Sequence, residues 1–382
     1  MNNPNSHERW LATWASAMRA PGGLIPRPFE AGFENQSIRQ VIHTTLGGSA
    51  VRIRLSNLCG PNPLCFESVY VGPVEGGAQL VAGSNRQISF GGVPEITVPV
   101  GANVLSDPIE LTLGVDQELA ISLFLRAATG PPTFGGAGAM SYVAPDNQST
   151  DEAGSGFELA RLGDFVGNVG YFLTGIDVLA SDSHTAVLAA LGDSITAQGW
   201  PFHLAHRIQA ARPERPLAVI NLGIGGNRIL SPGLGEAALA RFDRDVLARN
   251  GVKALVFFEG VNDIGFDAQE NKLSAADLIA GHQQVVSRAR AAGLTVFGGT
   301  ITPFKGARYW TPEGETKRHL VNDWILKSRQ YDGVIDFAEA LAAPPDAESL
   351  LPAYDSGDHL HPSEAGQRQL AAAFDLALLE SL

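Results

Sequence analysis

Cysteine is scarce in this chain: two residues, Cys59 and Cys65, among 382. At most one disulfide can form. The pair has five residues between it, in a segment that reads as strand, turn, strand. A bond there is geometrically allowed, but buried free thiols are the better expectation. No His/Cys cluster surrounds the pair, so metal binding is not expected. Positive charge is also short, with 27 Lys and Arg against 40 Asp and Glu, a formal net charge of −13. A nucleic-acid partner would need a basic stripe, and an anionic lipid surface would need a basic patch. No apolar run is long enough to span a bilayer. The opening residues, Met1-Asn-Asn-Pro-Asn-Ser-His-Glu-Arg-Trp10, lack the basic and apolar regions of a signal peptide. The expected location is cytoplasmic, or secreted or periplasmic if a leader precedes this start. Internal repeats and low-complexity segments are absent.

What is present is enough apolar material for a sizeable core: 45% hydrophobic and 18% charged residues. The length suggests two domains, and the hydrophobic period changes near residue 180. Before it, short alternating runs recur at Ile38–Ile42, Ala50–Leu55, Glu95–Val100 and Glu118–Phe124, punctuated by Gly-Gly, Asn-Pro and Asp-Pro turns. In Val51-Arg-Ile-Arg-Leu55 the apolar residues share one face and the arginines the other. Residues 1–180 are therefore expected to form a jelly-roll-like β-sandwich, with the Gly- and Pro-rich Thr129–Gly138 as a loop. After Ser181-Asp-Ser-His184, runs of parallel-strand character begin at Thr185–Leu191, Leu217–Leu222, Ala254–Phe258, Leu294–Phe297 and Gly333–Phe337. Amphipathic stretches of helix length, such as Ser274–Ala292, Lys317–Ser328 and Ser363–Leu379, alternate with them. Residues 181–382 thus read as an α/β domain, a flavodoxin-like parallel sheet covered on both faces.

Four polar signatures fall in this second half: Leu191-Gly-Asp-Ser194-Ile-Thr196, Asn221-Leu-Gly-Ile-Gly-Gly226, Gly260-Val-Asn262-Asp263 and Asp358-His-Leu-His361-Pro362. Each has an ordinary explanation. Gly-Asp-Ser suits a strand-to-helix turn with a polar cap, and the glycines suit a tight turn. Asn-Asp commonly starts a turn, and Asp-x-x-His suits a surface pair or half of a metal site. The glycine run lacks the Lys-Ser/Thr of a P-loop and the spacing of a dinucleotide fingerprint. Taken together they hold a nucleophile (Ser194), backbone and amide donors for an oxyanion, and a base (His361) oriented by a carboxylate (Asp358). Asp193 and Asp263 read as structural anchors, and His359 as a histidine pointing away from the serine. No metal ligand set and no cofactor is expected.

These signatures, in this order, resemble the SGNH hydrolases, the GDSL esterase/lipase superfamily, over about residues 185–382. The resemblance implies a three-layer α/β/α catalytic domain in which Ser194 is the nucleophile. It further implies an oxyanion hole built from the N–H groups of Ser194 and Gly226 and the Asn262 amide, with His361 as general base and Asp358 orienting it. The Gly-x-Ser-x-Thr context, early in its domain, differs from the Gly-x-Ser-x-Gly elbow of α/β-hydrolases. Trp10-Leu-Ala-Thr-Trp14, Arg39-Gln-Val-Ile-His43 and Leu46–Asn57 resemble a two-domain subgroup with a β-sandwich ahead of the catalytic domain. Ala197-Gln198 departs from the acidic residue often found after Gly-Asp-Ser-Ile-Thr.

For the substrate, Trp200, Phe304, Tyr309 and Trp310 are candidate pocket walls, since aromatic faces suit sugar rings and acyl groups alike. Packing in the protein interior would explain them equally well. No apolar run suggests a lipase lid. Short-acyl esters are expected, including acetyl esters of carbohydrate. The rivals are a lysophospholipase or lipase acting on longer chains, and a carbohydrate-binding protein on an unreactive scaffold.

Overall fold

The computed structural model describes residues 8–22, 27–136, 139–161, 169–181, 185–270 and 272–382. Residues 1–7, 137–138 and 182–184, parts of the chain start, the 129–138 loop and the 181–184 junction read above, lie outside these. The chain falls into two compact units, Met1–Thr185 and Ala186–Leu382.

The first unit is β-rich. One five-stranded sheet runs Arg9–Ala15, Leu173–Ala180, Gly48–Ser56, Asn103–Leu105, with Ile109–Leu113 also on Gly48–Ser56. A seven-stranded sheet is centred on Gln36–His43, Glu118–Leu125 and Ser68–Gly76, all antiparallel. Alternation works as expected in Gly48–Ser56: Val51, Ile53 and Leu55 are buried. Arg52 and Arg54 share the opposite face, where both reach the Asp177 carboxylate at 3.0 and 3.2 Å. Three expectations need correction. The run Glu95–Val100 shrinks to Ile96–Val98, because Pro94 and Pro99 flank it and cannot donate to a ladder. The 129–138 segment is not all loop: Phe134–Gly135 pairs with both Met18–Arg19 and Gly170–Tyr171. Cys59 and Cys65 are free thiols, and both are half-buried rather than buried.

The second unit is built on five parallel strands: β1 (Ala186–Gly192), β2 (Leu217–Gly223), β3 (Val252–Phe258), β4 (Thr295–Gly299) and β5 (Gly333–Ile335). Their order is β2-β1-β3-β4-β5, a doubly wound flavodoxin-like sheet. Every residue of β1 is buried, as a central strand covered on both faces requires. The chain leaves β1 in one direction and β3 in the other, so right-handed crossovers put their helices on opposite faces. Helix α2 (Trp200–Ala211) packs with α8 (Glu364–Ala373), and α5 (Ala275–Ala291) packs with α6 (Pro312–Lys327). Between them lie the short helices α1 (Ser194–Ala197), α3 (Ala238–Phe242), α4 (Val261–Phe266) and α7 (Phe337–Leu341).

Local chemistry explains where these helices differ from the pattern. Helix α6 starts five residues earlier than Lys317, because Thr311 caps it (Oγ1 accepts from Gly314 N–H at 3.0 Å) and Pro312 suits the first turn. The last expected helix is broken in two. It ends at Ala373, and Asp375 caps a separate 3-10 turn, Leu376–Ser381. Pro362 stands just before the α8 cap, Ser363, whose Oγ accepts from Gly366 N–H at 3.3 Å.

Candidate active site

All four signatures meet at the carboxyl edge of the sheet. Ser194 follows β1 directly and opens α1, and Asp193 is its cap, accepting from Ile195 N–H at 2.9 Å. The loop after β2 is tied to this turn from both sides. Asn221 Nδ2 donates to Thr196 O at 2.8 Å, and Ile224 N–H donates to Gly192 O at 3.0 Å. Gly226 has φ +71°, and a Cβ there would meet Leu234 Cδ1 at 2.5 Å, so a side chain would be both strained and crowded. The N–H groups of Ser194 and Gly226 have no acceptor among the described residues. Asn262, on α4 after β3, is 3% exposed. Its Nδ2 donates to Asp193 Oδ2 at 3.2 Å, and its Oδ1 accepts from the Tyr309 hydroxyl at 3.1 Å.

The Asp358–His361 turn supplies the remaining pair. His361 Nε2 lies 2.8 Å from Ser194 Oγ, and His361 Nδ1 lies 2.6 Å from Asp358 Oδ2. Asp358 Oδ1 also accepts from the N–H groups of Leu360 (3.0 Å) and His361 (2.8 Å). Burial pushes the Asp358 carboxyl up, but the His361 ring and these two N–H groups outweigh it and hold it at about 2. It is therefore ionised across the range in which an imidazole works as a base. An imidazole that directs Nδ1–H at Asp358 presents Nε2 to Ser194 Oγ as an acceptor. Asp263 is an anchor, accepting from Ile229 and Leu230 N–H groups. His359 turns to Asp355 instead of Ser194, with Nδ1 at 2.7 Å from its carboxylate.

Two of the aromatic candidates are not pocket walls. Trp200 is fully buried, its Nε1 donating to Thr196 Oγ1 at 3.2 Å and its ring 5.3 Å from that of Phe337. Phe304 is likewise fully buried. Apolar packing, rather than ligand contact, explains both. Tyr309 and Trp310 are half-buried, and Trp310 Nε1 donates to Glu315 Oε2 at 3.3 Å.

The sequence reading missed a buried group behind the Ser194 turn. Arg241, on α3, is fully buried and donates to Asn227 Oδ1 (2.9 Å), Leu222 O (2.8 Å) and Gly192 O (3.1 Å). It thereby ties the ends of β1 and β2 to the loop that carries Gly226. Its guanidinium is 3.3 Å from Asp245 and 3.7 Å from Glu259 at the end of β3. A π-helical turn, Asp243–Leu247, follows Arg241 and carries Asp245. An arginine inside the apolar Ala237–Phe242 stretch, and a glutamate closing the Phe257-Phe258 strand, were the available signals.

Burial pushes the carboxyls of Asp193, Glu259 and Asp263 up, Asp263 to about 6. A carboxyl whose pKa is raised in the fold stabilises most when protonated, and that contribution is lost as pH rises toward the raised value. The variant Glu259→Gln, neutral throughout, should gain melting temperature relative to the parent as pH rises from about 5 to about 8. Calorimetry across that range checks it; a pH-independent difference would contradict the assignment.

Among the described residues, Glu315, His319 and Glu348 have ligand atoms within 4.8 Å of one another. Arg318 already pairs with Glu315, and Lys305 with Glu348 at 2.9 Å, so these carboxylates are neutralised by side chains.

Residues 190–369 match the model of the GDSL-like Lipase/Acylhydrolase family. No curated protein matches the chain. Solved structures that resemble it include the acetylxylan esterase Axe2 from Geobacillus stearothermophilus, 22% identical over 51% of this chain and 94% of that one, TM-score 0.41. A GDSL-like lipase from Bacteroides thetaiotaomicron is 20% identical over 51% and 89%, TM-score 0.41. The α/β hydrolase LAE5, from the metagenome of Lake Arreo in Spain, is 20% identical over 50% and 94%, TM-score 0.41.

Proposed function

We infer that this chain, a carboxylic ester hydrolase belonging through residues 190–369 to the GDSL-like lipase/acylhydrolase family, is a serine esterase acting on short-acyl esters through an acyl-enzyme on Ser194. The observation that carries this is the continuous line Ser194 Oγ, His361, Asp358, at 2.8 and 2.6 Å. His361 Nε2 takes the Ser194 proton as Oγ attacks the ester carbonyl. The tetrahedral oxyanion is held by the N–H groups of Ser194 and Gly226 and by the second N–H of the Asn262 amide. His361 then gives its proton to the leaving alcohol and activates water, which releases the acid and restores Ser194.

Acetyl esters of carbohydrate are the proposed natural class, with Trp310 the remaining aromatic candidate to face a sugar ring. The test is a chain-length series of p-nitrophenyl esters beside acetate release from acetylated xylan. We expect kcat/KM to be highest for acetyl to butyryl esters and to fall at least about 10-fold by octanoate. A rise toward laurate would contradict the short-acyl reading and favour a lipase-type substrate.

A further inference from the structure

We propose that Tyr309 is a positioning residue for the oxyanion hole, its hydroxyl orienting the Asn262 amide so that one N–H stays available to the substrate. The proposal rests on the serine-esterase reading above and adds to it a residue outside the four signatures. A primary amide can be turned end for end, exchanging its carbonyl oxygen and its NH2. In the observed orientation both ends are engaged: Oδ1 accepts from Tyr309 Oη at 3.1 Å, and Nδ2 donates to Asp193 Oδ2 at 3.2 Å. Nδ2 has two hydrogens, so one remains for an oxyanion. The reversed orientation would leave the tyrosine donor facing an NH2 group, without its acceptor, and with Asp193 ionised it would also set Oδ1 against that carboxylate. Tyr309 and Asp193 therefore specify the same orientation from opposite ends.

The ring is held for this purpose by packing. Gly265 lies three residues after Asn262 on α4, hence on the same helix face. A Cβ at Gly265 would meet Tyr309 Cδ2 at 2.2 Å, so the missing side chain is the space the ring occupies. The rings of Phe266 and Phe304 flank it at 5.6 and 6.0 Å. Burial, reinforced by the charges of Asp193 and Asp358, pushes the Tyr309 hydroxyl above its ordinary range, so it stays protonated and able to donate. Tyr309, a candidate pocket wall in the sequence, thus delivers a hydrogen bond to Asn262.

The variant Tyr309→Phe removes the hydroxyl and keeps the ring. With p-nitrophenyl acetate, kcat should fall roughly 10-fold while KM stays within about twofold. In an Asn262→Ala background the same substitution should cause no further loss, because its effect passes through the amide. An unchanged kcat, or an equal loss in both backgrounds, would overturn the proposal. If Asn262→Ala itself left turnover intact, the oxyanion-hole reading would fail and the proposal with it.

Discussion

Replacing Ser194 with alanine should lower kcat on p-nitrophenyl acetate by roughly 10^4-fold or more, leaving only what binding and oxyanion donors achieve with water. The expectation follows from geometry. His361 Nε2 has Ser194 Oγ as its partner at 2.8 Å, and its other nitrogen is committed to Asp358. Without Oγ there is no atom to receive the acyl group. Alanine leaves intact the backbone that positions the turn, since the Asp193 cap and the Ile224-to-Gly192 bond do not use the serine side chain. The melting temperature should therefore stay within about 2 °C of the parent's. Steady-state turnover and a thermal melt on the same preparation separate lost chemistry from lost folding.

Asn262→Ala should cost roughly 10^2- to 10^3-fold in kcat, as removal of one oxyanion donor does elsewhere. The loss should fall on kcat more than on KM, because the donor is matched to charge that develops in the transition state. The two backbone donors, on Ser194 and Gly226, would remain, which is why the effect is smaller than loss of the nucleophile. The substitution also frees Asp193 Oδ2 and Tyr309 Oη from their partner. Kinetics on acetate and butyrate esters should show the same fractional loss for each. A loss confined to one ester would point to substrate fit instead.

How much of this was readable beforehand varies with the kind of signal. The β-to-α/β change of period was legible because alternation and long apolar runs are local properties. Strand order was not, since it depends on which edge each crossover takes; the observed order had to come from pairing. That the four signatures share one sheet edge was legible because each follows a strand or precedes a helix at a recognisable spacing. Arg241 and Glu259 were not, because their partners lie at separate points in sequence and only the folded sheet edge brings them together. Trp200 and Phe304 stay undecided in sequence for a related reason: composition marks an aromatic residue as useful in a pocket and in a core alike, and only burial separates the two. Tyr309 stands out in the sequence for its ring, whereas in the fold its hydroxyl donates to Asn262 Oδ1.

Activation of Ser194 by His361 is the step on which the proposed chemistry depends. The most direct measurement is covalent labelling with a fluorophosphonate, followed by mass spectrometry of the digested protein. One adduct per chain is expected, on the peptide that contains Ser194, and none within the same time in a His361→Ala variant. An unlabelled Ser194 in protein that hydrolyses p-nitrophenyl acetate would contradict it.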